Sequence, residues 1–233
     1  MRSVAKAFGS GLAWPSVLCV LLIVPVVLMT GGLNWPQAWV LLATVGLFSV
    51  CSSVALSVWR PASFKVRQSG LVAAPEEKQP LIDAIGSVSY IGFIIGWCAF
   101  IPVDVFNLHL LPSPGPVLSL VGILGLVVGQ TIAFLAVWQN EFAAPTIHEQ
   151  PEQRVIDTGI YGWVRHPLYA GNLVFFAGTA AWLGSMVALM GVLAMLGATL
   201  ARIVIEERFL RSKLPDYGDY VRRVRGRLIP FIL

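Results

Sequence analysis

Six long stretches of this chain carry no charged residue: Leu12–Thr30, Trp35–Trp59, Ala84–Val103, Pro116–Trp138, Leu168–Leu183 and Met186–Ala201. A helix of about 20 apolar residues crosses a hydrocarbon core of about 30 Å. The first four stretches approach or exceed that length and read as independent spans. The last two are shorter and are parted only by Gly184 and Ser185, so they read as a tight helical hairpin, tilted or not fully crossing. Composition agrees, since 57% of the 233 residues are hydrophobic and 12% are charged, against roughly 25% charged in a soluble domain. The expected fold is an all-α integral membrane protein of about six transmembrane helices. It forms one structural unit, with residues 1–140 supplying a four-span scaffold and 141–233 the functional region.

Charge sets the orientation. With the N-terminus in the cytoplasm, six crossings bring all 16 lysines and arginines to one face, while the opposite loops, Gly31–Asn34 and Asp104–Gly115, have none. This positive-inside asymmetry places both termini and the functional region on the cytoplasmic side. The formal net charge of +4 attracts anionic lipid and needs no nucleic acid to explain it. Arg2 and Lys6 ahead of an apolar run also resemble a secretory signal. The run is longer than a signal core and lacks a small-x-small cleavage site, so the segment is expected to stay.

Most isolated polar residues read as packing or surface. Cys19, Cys51 and Cys98 fall within spans, without ligand spacing. His109 stands in a proline-rich outer loop. His148, among Glu141, Glu149 and Glu152, has no second histidine at helical spacing, so a solvated acidic stretch is expected and no metal site. Gly92, Gly96, Gly122, Gly125 and Gly129 suit close helix packing, and Gln130 suits a hydrogen bond between helices or a cavity wall, the first being preferred. Residues 61–80 read as a turn-rich loop with Phe64, Val66 and Leu71 resting on the interface.

The chemistry concentrates in Thr158–Gly171, reading Thr-Gly-Ile-Tyr-Gly-Trp-Val-Arg-His-Pro-Leu-Tyr-Ala-Gly. Pro167 suits the first turn of a helix, where its missing N–H costs nothing and its φ is already helical. Free N–H groups and a positive dipole end beside Arg165 and His166 make a junction fit for a carboxylate or phosphate. Further on, Arg202 and Glu206 are four residues apart and share a helix face. Ionisable groups at the edge of an apolar span mark a functional site or an interfacial ion pair. The closing segment from Asp216, basic and aromatic, reads as a surface anchor or a lid.

Val155–Gly171, then Glu206-Glu207-x-x-Leu210, then Tyr217-x-x-Tyr220 with Arg227 and Pro230 resemble the isoprenylcysteine carboxyl methyltransferase family and its bacterial relatives; phospholipid N-methyltransferases share the plan. The resemblance covers about the last 90 residues of the chain. It implies a membrane enzyme that binds S-adenosylmethionine between the hairpin, the loop before it and the C-terminal segment. Val155, Ile156, Tyr161, His166, Pro167, Leu168, Tyr169 and Glu206 match cofactor-binding positions, Val155 and Ile156 lying in a strand-like stretch. Arg202 matches a position at the substrate carboxylate. Gln153 stands where the eukaryotic members have histidine.

These residue types suit the donor. Aromatic faces at Tyr161 and Tyr169 suit a sulfonium cation, Glu206 its amino group, and His166 with the helix N-terminus its carboxylate. A carboxylate acceptor needs orientation by Arg202, whereas an amine must first lose a proton, for which Glu207 is the nearest spare carboxylate. The partner is then a lipophilic small molecule, a lipidated substrate or a membrane lipid. Two other readings stand beside this one. NADPH-dependent sterol-type reductases carry a related Arg-His-Pro-x-Tyr pattern, and a non-enzymatic scaffold or transporter would reduce Arg202 and Glu206 to an inner-face ion pair.

Overall fold

A computed structural model describes residues 2–68, 81–145, 147 and 150–231. His148, Glu149, Leu71 and Lys78 lie outside the described residues. Among those described there is no strand, and the order is α1 (Arg2–Thr30), α2 (Pro36–Trp59), α3 (Pro61–Arg67), α4 (Leu81–Val103), α5 (Pro116–Gln139), α6 (Pro167–Leu183), α7 (Met186–Lys213) and α8 (Tyr217–Arg223).

Helices α1, α2, α4, α5 and α7 are each long and apolar enough to cross a membrane. Helix α6, at 17 residues, is about 25 Å long and falls short of the hydrocarbon thickness. Leu28, Leu47, Val117 and Leu193 point outward at 81%, 71%, 75% and 68% exposure. Apolar surface on that scale is intolerable in water, and it identifies an integral membrane protein.

Helices α5 and α6 lie almost backbone to backbone. A Cβ added at Gly129 would sit 2.4 Å from the Phe175 nitrogen, and one at Gly178 would sit 2.4 Å from that of Leu126. Gly122 meets the Trp182 nitrogen and Gly171 that of Ala133, each at 2.7 Å. Two glycines on each helix, seven residues apart, thus clear the path for the other. In lipid this closeness is itself the driving force, because dispersion replaces the hydrophobic effect. Of the other glycines expected to pack, Gly125 makes ordinary contact, while a Cβ at Gly92 or Gly96 would meet open space.

The α6–α7 turn is as tight as expected. Gly184 adopts φ +96, a left-handed cap open to glycine, and the Ser185 hydroxyl accepts the Ala188 amide to start α7. Buried Asp104 clamps this turn from the end of α4, accepting the Ser185 hydroxyl at 2.6 Å and the Leu110 amide at 3.1 Å. It sits at the start of a π-helical turn, Asp104–Leu108, closed by the His109 amide on the Asp104 carbonyl at 2.8 Å.

Two expectations are corrected. The stretch after Arg60 begins with a helix, not a turn-rich loop, since Pro61 occupies the first turn while Lys65 and Arg67 meet the dipole in the last. The second hairpin arm, expected to be short and tilted or not fully crossing, is long enough to cross a membrane. Helix α7 runs for 28 residues, about 42 Å, so it outruns the shorter α6 and carries Glu206 and Glu207 past the α6 start.

The glycine contacts predict a contrast. Gly129→Ala or Gly178→Ala pushes a methyl into facing backbone and should cost about 1–3 kcal/mol, read as a lower thermal midpoint in detergent. Gly125→Ala, whose Cβ would meet the Gly178 Cα at 3.6 Å, should leave the midpoint unchanged.

Candidate active site

The loop after α5 returns to its own helix end before entering α6. Gly159 adopts φ +59 and sits against the Gln139 amide, whose Oε1 accepts the Ile160 N–H at 2.8 Å. A 3-10 turn, Gly159–Gly162, then buries Tyr161, which donates to the Ala136 carbonyl at 3.2 Å. Burial pushes the Tyr161 phenol up to about 12, so it remains a protonated donor at neutral pH. Pro167 opens α6, as its ring geometry requires.

Beside this junction the C-terminal segment is fastened to the loop. The Arg165 amide donates to the Gly226 carbonyl at 3.0 Å, and the His166 amide to that of Arg227 at 2.9 Å. The Arg165 guanidinium also donates to the carbonyls of Val224 at 2.6 Å and Arg225 at 2.8 Å. Tyr217, Tyr220 and Val224 pack over Val155, Leu210 and Leu214, and the Tyr220 hydroxyl donates to the Tyr161 carbonyl at 2.9 Å. Burial raises the phenols of Tyr217 and Tyr220 as well. The closing segment is therefore a lid on the loop and the end of α7.

Under this lid lies a cavity whose wall includes Val155, Ile156, Tyr161, His166, Pro167, Leu168, Tyr169, Arg202 and Glu206. Every residue expected at the cofactor, together with Arg202, is thus gathered in one place. Val155 and Ile156 belong to a segment without regular secondary structure, not to a strand. Three side chains form a relay in which Arg202 Nε donates to the Tyr169 hydroxyl at 2.9 Å, and that hydroxyl donates to Glu206 Oε2 at 2.8 Å. Arg202 also donates to the Pro145 carbonyl at 2.9 Å. The Tyr169 and His166 rings lie 5.8 Å apart, 31° from parallel.

Glu207 takes a different place, apart from the cavity wall. It is buried, and Arg165 Nε donates to Oε1 at 2.7 Å, His166 Nε2 lies 3.3 Å from the same oxygen, and Arg227 donates to Oε2 at 3.3 Å. A buried carboxylate is tolerable only with such partners. Arg165 is likewise turned to Glu207 rather than held free beside the α6 N-terminus.

Other wall residues escaped sequence reading. Phe209 lies seven residues after Arg202 on α7, where helical spacing was the available signal, and Leu214 follows at the helix end. Phe142, Ala143 and Gln150 come from an irregular segment with no periodicity to mark them.

Comparison with known proteins now bears on the site. Residues 117–216 match the phospholipid methyltransferase family model. The chain is 31% identical over 119 residues to a probable protein-S-isoprenylcysteine O-methyltransferase of Oryza sativa subsp. indica, covering 49% of this chain and 62% of the rice protein. It is 34% identical over 100 residues to the cobalt-zinc-cadmium resistance protein CzcN of Cupriavidus metallidurans, covering 42% of this chain and 46% of that protein. The fold matches that of the eukaryotic intramembrane Ras methyltransferase ICMT with a TM-score of 0.50 and 19% identity, over 92% of this chain and 74% of the other. The site-bearing part is similar in sequence to phospholipid and isoprenylcysteine methyltransferases.

The family match spans α5, α6 and α7 and takes in every cavity residue named above from the sequence. Arg227, which completes the charge cluster at Glu207, lies beyond its end. The chain spans about half the length of the curated relatives it matches, 62% of the rice protein and 46% of the Cupriavidus protein.

Because Arg165 makes the shortest contact to buried Glu207, Arg165→Ala should leave that carboxylate short of a partner, at a cost of about 3–5 kcal/mol. Thermal unfolding in detergent should show that loss, whereas Arg154→Ala, which removes an exposed pair with Glu141, should cost under about 1 kcal/mol.

Proposed function

We propose that the protein is an S-adenosylmethionine-dependent methyltransferase acting on a lipophilic acceptor at the cytoplasmic boundary of the membrane. The observation that carries this reading is the relay Arg202–Tyr169–Glu206 on the wall of one cavity. It sets a cation, a phenol and a carboxylate within a single side-chain network.

The donor set fits the cofactor. Glu206 is the carboxylate for an amino group. His166, with the N–H groups of the α6 start, suits a carboxylate, and the faces of Tyr161 and Tyr169 suit a sulfonium. Val155, Ile156, Pro167 and Leu168 supply apolar wall for a purine nucleoside. When bound, the cofactor supplies a methyl group whose carbon–sulfur electron pair stays on sulfur as the new bond forms to an acceptor oxygen or nitrogen. The protein's part is alignment and exclusion of water, worth about 7–11 kcal/mol of barrier in well-oriented reactions. Tyr217 and Tyr220 close the cavity from the lid side.

Arg202 is assigned to the acceptor, where its guanidinium orients an anionic group. Glu207 was expected to serve as a base for an amine acceptor, but its oxygens already engage Arg165, His166 and Arg227. It is assigned a positioning role, fixing the His166 ring and the lid. The cytoplasmic placement rests on the clustering of lysine and arginine on one side of the spans.

The division of roles is testable. Arg202→Ala should abolish transfer of a radiolabelled methyl group into membrane lipid extract while keeping affinity for S-adenosylhomocysteine within about threefold. Glu206→Ala should weaken that affinity by about tenfold or more, the range expected for a lost charge-assisted hydrogen bond. Calorimetric titration in detergent reads both, and equal loss of cofactor affinity in the two variants would contradict the assignment.

A further inference from the structure

A second chamber of about 340 Å³ lies beside the cofactor cavity, walled by α1, α2, α3, α5 and α6, and Leu168 lines both spaces. Much of its wall is aromatic, as a cleft among membrane helices would be: Trp14, Phe48, Phe64, Phe134 and Phe175. Two of its polar groups do not suit a purely hydrocarbon filling.

The first is Gln130, in the interior of α5. Its Oε1 is fully buried and accepts no hydrogen bond, so the bond between helices preferred from the sequence is absent at that oxygen, and the side chain lines the chamber instead. Leaving a buried acceptor unsatisfied costs about 1–3 kcal/mol, a cost that a ligand bringing a hydrogen-bond donor would remove. The second is Arg67, the last residue of α3, half-buried on the chamber wall. No carboxylate among the described residues forms an ion pair with it. Desolvation lowers its pKa, and its charge interacts with the phenols of Tyr169 and Tyr161 in the cofactor cavity. A partly desolvated guanidinium favours a planar or tetrahedral anion that it can grip with two N–H groups.

We infer that this chamber holds the lipid-side portion of the methyl acceptor, an amphiphile with an anionic group bound by Arg67, distinct from the methyl-accepting group that Arg202 orients, and a hydrogen-bond donor bound by Gln130. The inference rests on the methyltransferase reading and narrows the acceptor's class. Its aliphatic chain lies against the aromatic wall of the chamber, and Leu168 is the partition beside the donor. The two requirements exclude an uncharged sterol or hydrocarbon, and also a simple cationic amine.

The test uses the full chain in detergent with two probes of equal chain length. Lysophosphatidic acid has a phosphate and a free hydroxyl, and monoacylglycerol has hydroxyls only. Affinities are read from ligand-induced thermal shifts, with S-adenosylhomocysteine titrated in parallel. The wild type should prefer lysophosphatidic acid by about tenfold or more, the equivalent of about 1.4 kcal/mol. Arg67→Gln should erase that preference. Gln130→Leu should weaken lysophosphatidic acid about fivefold or more while raising the melting temperature of the ligand-free protein, because an orphaned polar atom is gone. A merely structural glutamine would lower it. Affinity for S-adenosylhomocysteine should be unchanged in both variants.

Absence of a phosphate preference, or a preference that survives Arg67→Gln, overturns the inference and leaves the methyltransferase reading intact if S-adenosylhomocysteine still binds. Preference for the phosphate in a protein that never binds S-adenosylhomocysteine overturns the assignment of the lipid as methyl acceptor, together with the reading beneath it.

Discussion

The buried carboxylate of Glu207 is the constraint on which the site depends. An ionised group cannot remain in an apolar interior without partners, and the partners here come from segments remote in sequence. Arg165 and His166 precede α6, Glu207 lies on the extension of α7, and Arg227 follows α8. Satisfying one charge therefore draws the loop, the hairpin and the C-terminal segment together. The backbone bonds from residues 165 and 166 to 226 and 227 then hold the lid in register. The cavity exists because these three segments cannot separate without stranding charge.

The hairpin sets the geometry inside that closure. With a turn at Gly184 and Ser185, Tyr169 lies 15 residues before it and Arg202 17 residues after it, so the two side chains come within reach across the hairpin. Their hydrogen bond at 2.9 Å follows from this register. The four interlocked glycines of α5 and α6 fix the first arm against the scaffold. Asp104 and Ser185 fasten the turn at the far end. An arm held at both levels presents Tyr169 at a defined height, as alignment of two reactants demands.

Much of this was legible in the sequence, for identifiable reasons. Uncharged runs mark spans because charge is costly in lipid, so the helix positions and the hairpin were readable. Pro167 marked the start of α6, and the four-residue spacing of Arg202 and Glu206 marked a shared face. The apolar run alone understates α7, because it stops at the first charge, but the spacing of Arg202 and Glu206 already carried the helix into polar surroundings. Asp104 looked like one residue of an outer loop, since nothing local announces a partner 81 residues away. Glu207 looked like a spare carboxylate for the same reason. Its three partners lie outside its own helix, and only the folded chain shows them converging.

The account's central claim is that the cavity beneath the lid receives a methyl donor. Its most direct test is titration of the detergent-purified protein with S-adenosylhomocysteine and, separately, with NADPH. The account predicts binding of S-adenosylhomocysteine in the micromolar range, lost in His166→Ala, and no heat from NADPH. Binding of NADPH alone would contradict it and assign the same residues to a reductase.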